Sequence, residues 1–237
     1  MQADKTTVND LSIFHREEEQ SIFHHLNFTT TIGGKDWFKF LLASPYTDLE
    51  KIQETQRTLQ LIIDQQDKWP KMITNGTVMV VQKYYESAID EMPENPNLIN
   101  SLFYRFFKTQ DFSLVKFSVI HFIDFTVGLK QIIDHFGGDS TPKLLKVMVE
   151  RIKMLTNKPV IKNMMEVTKQ QKLSTADYLY FGQYLRHHFK ANALELVELY
   201  NKLDAYYGMA MASKNFNFCF PEIQITQSPF IDAKNVY

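Results

Sequence analysis

The chain contains a single cysteine, Cys219. That excludes an internal disulfide and a zinc site built from clustered cysteines, and it fits a reducing compartment. Glycine and proline are scarce, with eight of each in 237 residues. A turn-rich β fold needs more of both, so the predicted class is all-α, a multi-helix core. Neither sign of charge dominates, with 26 Lys and Arg against 27 Asp and Glu. A whole-molecule attraction for nucleic acid is therefore not expected, although overall balance can conceal a local excess. No run reaches the ~20 apolar residues of a membrane span. The best stretch, residues 117–133, is interrupted by His121, Asp124 and Lys130. The first residues are polar and charged, unlike a secretory signal. The expectation is a soluble, cytoplasmic protein with no membrane partner.

What the chain does have is helical periodicity, most of all near its end. Ser174-Thr175-Ala176-Asp177 is a helix start in which the hydroxyl caps a free amide and Asp177 reaches back. Tyr178, Phe181, Leu185, Phe189, Ala193, Leu196, Leu199, Leu203, Tyr206 and Ala210 then recur at three- and four-residue steps. This predicts one long helix over 174–215, a rod of roughly 60 Å at about 1.5 Å per residue. Gly182 and Gly208 are the places where a kink would fall.

Upstream, residues 1–10 read as loose and 11–136 as a helical core. Residues 11–28 carry Glu17, Glu18 and Glu19 before Ile22, Phe23 and Leu26, an amphipathic pattern. Thr29-Thr30-Thr31-Ile32-Gly33-Gly34 interrupts it. A helix over 35–43 is stopped by Pro45, and Asp48 caps another running to about Gln66. One or two shorter helices follow over 69–92. An aromatic helix covers 97–107, and a long one starts at Asp111 or Ser113 and ends at Gly137-Gly138. Residues 141–172 hold two helices hinged near Asn157-Lys158-Pro159. After Asn215 the pattern changes, and Ile223-Gln224-Ile225-Thr226 alternates as a strand does.

No catalytic motif is present. Gly33-Gly34-Lys35 is followed by Asp36 and follows no strand, so it is not a phosphate-binding loop. A nucleophile elbow is missing, and so is a Glu-x-x-His pair. The adjacent pairs His24-His25 and His187-His188 point to different sides of a helix and read as surface residues. His121 and Asp124 share a helix face in an apolar stretch and read as a satisfied core pair. Catalytic and metal residues are therefore expected to be absent, with no cofactor held by this chain.

One local charge feature stands out. Lys143, Lys146, Arg151, Lys153, Lys158, Lys162, Lys169 and Lys172 face only Glu150 and Glu166 over the same stretch. Residues 137–173 are thus read as a basic helical tip. Such a tip suits a phosphate backbone, through counterion release, or is simply a solvated lysine-rich surface. Lysines without interleaved aromatics give backbone affinity and no base reading.

Three stretches resemble the central region of the MutS family of DNA mismatch repair ATPases. Residues 31–56 match a family pattern of a T-P-x-G start, an apolar helix ending W-L-x-x-P and x-x-D-x5-E-R-Q. Here these are Thr31-Ile32-Gly33-Gly34, Phe38 and Leu42, Pro45, Asp48, Glu54 and Gln56. Asp36, Leu41 and Thr55 depart from it. Residues 203–221 match the family's close of its long helix through Leu203-Asp204, Ala210, Asn217-Phe218 and Pro221. Residues 223–237 resemble the first strand of its ATPase domain.

The resemblance implies that 11–136 is core, 137–173 stands where the family has its DNA clamp, and 174–215 is the lever helix. It also implies that 216–237 begins an ATPase domain, with ATP and Mg bound in the full-length protein and none here. The partners it implies are double-stranded or branched DNA and a second copy in a full-length homodimer. The mismatch-reading domain that normally precedes the core is expected to be missing, which implies a branch without it. The implied role is a non-catalytic lever coupling DNA contact to the ATPase dimer. A reading of another class is a helical protein-binding scaffold that never touches DNA.

Overall fold

The structure, a computed structural model, describes residues 5–89, 91–168, 170–225, 228 and 230–233. In chain order the helices are α1 Lys5–Asp10, α2 Ile22–Leu26, α3 Ile32–Ala43, α4 Leu49–Asp64, α5 Asn75–Tyr84, α6 Leu98–Phe107, α7 Thr109–Phe136, α8 Lys143–Thr156, α9 Pro159–Met165, α10 Thr175–His188 and α11 Lys190–Asn215. Among the described residues there is no strand, so the all-α expectation holds. The expected short β segment after 215 is not formed where it is described. Ile223, Gln224 and Ile225 run as irregular chain with Ile225 86% exposed, and no neighbouring strand takes up their amides. Thr226 lies outside the described residues.

Helix starts follow local chemistry. The side chains of Thr31, Asp48, Thr74, Asn97 and Ser174 each accept from a backbone N–H of the first turn. Ser174 Oγ accepts from Asp177 N–H at 3.2 Å, and the Asp177 carboxylate accepts from Ser174 N–H at 2.8 Å. Each such cap contributes about 1 kcal/mol. Pro159 opens α9 at its first turn, where a missing N–H costs nothing.

α7 is the central post. Val115, Val119, Leu129, Ile132 and Phe136 on it are fully buried, and α5, α6, α8, α9 and α10 pack around it. By length and composition it is long and apolar enough to cross a membrane. The interruptions at His121, Asp124 and Lys130 do not prevent that, contrary to the sequence expectation. Here the helix is wrapped by others, which is how a core helix satisfies the same apolar content.

The single long rod is replaced by two helices. α10 ends and α11 begins at Phe189, whose backbone (φ −125°, ψ 0°) leaves the helical region. No proline or glycine stands at the break, and neither Gly182 nor Gly208 interrupts its helix. The cause is packing. Phe189 is 1% exposed and stacks on Tyr184 with ring centroids 6.2 Å apart. α10 packs on α6 and α7, whereas α11 packs on α3, α4 and α8. One straight stripe cannot face both sets, so the chain bends where a buried ring rewards it.

Three further expectations change. Residues 5–10, read as loose, form α1. Residues 11–28 are not one helix: the chain reverses at Ser12 (φ 50°), and Ile22 and Phe23 donate back to Ser12 and Ile13 carbonyls. This drives Phe23 into a stack with Phe38 at 5.6 Å. The basic segment is not a projecting tip either. α8 buries Leu145, Val149 and Ile152 in the core among α4, α7 and α11, and α9 buries Ile161 and Met164 beside α7. Those apolar positions recur at helical spacing, and burying them ties both helices to the body.

Candidate functional site

The most specific polar cluster joins the two ends of the chain. Asp204, on α11, is fully buried. Its carboxylate accepts from Thr30 N–H at 3.0 Å, Thr30 Oγ1 at 2.8 Å, Thr31 N–H at 2.8 Å and Thr31 Oγ1 at 2.7 Å. Thr31 Oγ1 also accepts from Gly34 N–H at 2.9 Å, capping α3. Burial holds the Asp204 carboxyl above its ordinary value, and the threonine donors pull it back only in part. α3 can approach because Gly33 and Gly34 carry no side chain. A Cβ on either would run into Asn201 or Asp204. A buried acid with its acceptor sites filled by fixed donors is a clasp between α11 and the start of α3.

A second contact lies one helix away. Gln56 Nε2, on α4, donates to the Pro221 carbonyl at 2.9 Å. Glu54, two residues earlier, pairs with Arg57 at 2.6 Å and accepts from Leu144 N–H at 3.3 Å, so it helps cap α8. Asn217 (φ 53°) ends α11 in the left-handed region. Phe218 N–H then donates to the Ser213 carbonyl and Asn217 N–H to that of Lys214, a closure that asparagine tolerates better than most residues. Side chains singled out by spacing in residues 31–56 thus meet residues 203–221 at two points, the Asp204 carboxylate and the Pro221 backbone carbonyl.

The basic residues are dispersed and largely engaged. Lys143 Nζ lies 3.4 Å from Glu50, Lys146 Nζ 3.8 Å from Asp139, and Lys153 Nζ 3.8 Å from Glu150. Arg151 holds Glu195 of α11 with two nitrogens, at 2.5 and 2.8 Å. That hydrogen-bonded pairing raises the arginine pKa and lowers that of the glutamate. Lys158, Lys162 and Lys172 are exposed and have no ion-pair partner among the described residues. Lys169 lies outside those residues. Lys130, on α7, escaped the sequence reading because it enters only through tertiary packing. It joins Lys153 and Lys162 with Glu150 and Glu166 around a shallow cleft of about 510 Å³, and pairs with Glu166 at 2.6 Å. The cleft offers cations to a phosphate, but two carboxylates stand among them.

No group of three or more metal-ligating side chains occurs among the described residues. His24, His25, His187 and His188 are exposed as expected. His121 is half-buried, and its Nδ1 lies 2.9 Å from the Phe117 carbonyl. It makes no hydrogen bond to Asp124 and is not the core pair expected. Comparison with protein-family models, curated proteins and solved structures gave no match.

Proposed function

We propose that this chain is the core and lever region of a MutS-like DNA-processing ATPase, and that it couples DNA contact to the state of an ATPase domain without catalysis of its own. The observation that carries this reading is the meeting of the two spaced motifs. Thr31 grips Asp204 and Gln56 grips Pro221, although more than 160 residues separate the members of each pair. Residues whose spacing resembles the family pattern thus act as one joint, which ties α3 and α4 to the last helix and to the chain leaving it. A rotation of α11 would be transmitted through that joint. In this reading DNA is the partner, ATP and Mg belong to the ATPase domain, and the protein works in the cytoplasm.

Fluorescence anisotropy on duplex and branched DNA across a salt series tests it. Expected is steeply salt-dependent binding that weakens when Lys158, Lys162 and Lys172 are changed to Glu. Absence of binding at low salt would remove DNA from the proposal.

A helical scaffold that binds only protein is the second reading. It is favoured by the neutralisation of Arg151, Lys143 and Lys153 by nearby acids, and by the apolar face of α6.

A further inference from the structure

A cleft of about 590 Å³ opens where α3, α4, α8 and α11 meet, within the ~300–1,000 Å³ of small-molecule sites. Much of its lining is flat or apolar. Trp37 and Phe40 of α3 stand edge to face at 5.4 Å, and Leu144 and Val147 of α8 add aliphatic surface. The hydroxyls of Tyr46 and Tyr206, 3.4 Å apart, are among its few uncharged polar groups. Three carboxylates and three ammoniums also line it, but the carboxylates are taken. Asp48 accepts from Lys51 N–H at 2.9 Å, Glu54 is held by Arg57 and by Leu144 N–H, and Glu50 lies 3.4 Å from Lys143. Arg57 stands outside the lining, so its pairing with Glu54 leaves the cleft a surplus of positive charge. Lys51 and Lys202 have no ion-pair partner among the described residues. Lys202 Nζ instead lies 4.5 Å from the centroid of the Trp37 ring, so an unpaired ammonium and a flat indole stand together.

We infer that this cleft binds a small aromatic anion, a flat ring system bearing one carboxylate. The ring packs on Trp37 and Phe40, where offset or edge-to-face contacts between rings are favourable. The carboxylate is taken by Lys202 and Lys51, whose ammoniums are not already neutralised. Charge complementarity decides the sign of the ligand. A flat cation would find the Trp37 ring already carrying the Lys202 ammonium and would meet like charge there, whereas an anion meets an unsatisfied donor. The site draws on four helices from separate parts of the chain, so no local stretch of sequence displays it. It stands independently of the DNA reading, since neither Lys51 nor Lys202 belongs to the basic stretch 143–172 and the ligand is not a nucleic acid.

Titration of the chain with 2-naphthoate, followed by the indole N–H signals in proton–nitrogen NMR, is the test. The chain has two tryptophans, Trp37 and Trp69, and Trp37→Phe assigns their signals. The Trp37 signal should shift saturably. That of Trp69, 5% exposed and outside the cleft lining, should stay in place. The same ring system as a cation, 2-naphthylmethylammonium, should bind at least about tenfold more weakly. Changing Lys51 and Lys202 together to Met should erase that preference, which a mere loss of shape would not do. Val147→Trp, at a side chain 63% exposed, should fill the cleft and abolish the shift while far-UV circular dichroism stays unchanged. α6 also presents bare rings, with Phe103 and Phe106 59% and 77% exposed. Phe103→Glu is therefore the control for indiscriminate binding and should leave the Trp37 shift intact. No saturable Trp37 shift up to millimolar 2-naphthoate overturns the inference. So does wild-type binding of the cation as tight as that of the anion, a shift that survives Val147→Trp, or one lost in Phe103→Glu.

Discussion

Thr31 Oγ1 donates to Asp204 at 2.7 Å and accepts from Gly34 N–H at 2.9 Å, so one hydroxyl both starts α3 and fastens it to α11. Two functions resting on one atom make the joint sensitive to small changes.

Thr31→Val keeps the shape and removes the hydroxyl. It strips α3 of its cap and leaves the buried carboxylate one donor short. The expected loss is about 2 kcal/mol of unfolding free energy, read by urea denaturation. A change within error of zero would show that Thr30 and the backbone amides suffice.

Gly34→Ala runs against helix propensity. In an open helix the change would stabilise by up to about 1 kcal/mol. Here the new methyl meets Asp204, and overpacking should destabilise by about 1–3 kcal/mol. A stabilised variant would mean that α3 and α11 can move apart freely.

Asp204 gives a pH signature. Burial raises its pKa in the folded state from the ordinary 3.8. Its pH-linked contribution is therefore present in full below 3.8 and is lost as pH rises through the raised folded value. Comparing wild type with Asp204→Asn isolates this group. The stability difference in favour of wild type should shrink as pH rises from acid to neutral. A difference that grows with pH contradicts the assignment.

Arg151 and the unpaired lysines should separate in DNA binding. The Arg151 guanidinium is held by Glu195, so Arg151→Gln should change affinity far less than Lys158→Glu with Lys162→Glu. Salt slopes from anisotropy measure how many phosphate contacts each variant loses. Equal losses would show that DNA competes Arg151 away from Glu195.

Much of the helical architecture was legible locally. Ser174 with Asp177, Asp48 and Pro159 each act within one turn of themselves, so their positions in the chain were enough to place helix starts. The hinge between α8 and α9 was readable for the same reason. Phe189 was not. Its place in the apolar stripe is that of a continuing helix, and nothing at that residue marks a break. The break exists because the two halves of the stripe face different partners. Lys130 was likewise invisible as a neighbour of Lys162, being far from it along the chain.

The sequence by itself determined the helical class, most of the caps and stops, and the motif residues at 31–56 and 203–221, because capping and periodicity are set by neighbours within a few positions. Only the tertiary structure decided that Thr31 meets Asp204, that Arg151 is neutralised by Glu195, that the basic helices lie against the body, and that α6 turns its phenylalanines outward. Each of these depends on which helix packs beside which. That choice is settled by the burial of whole faces at once, a sum over the entire chain that no local stretch contains.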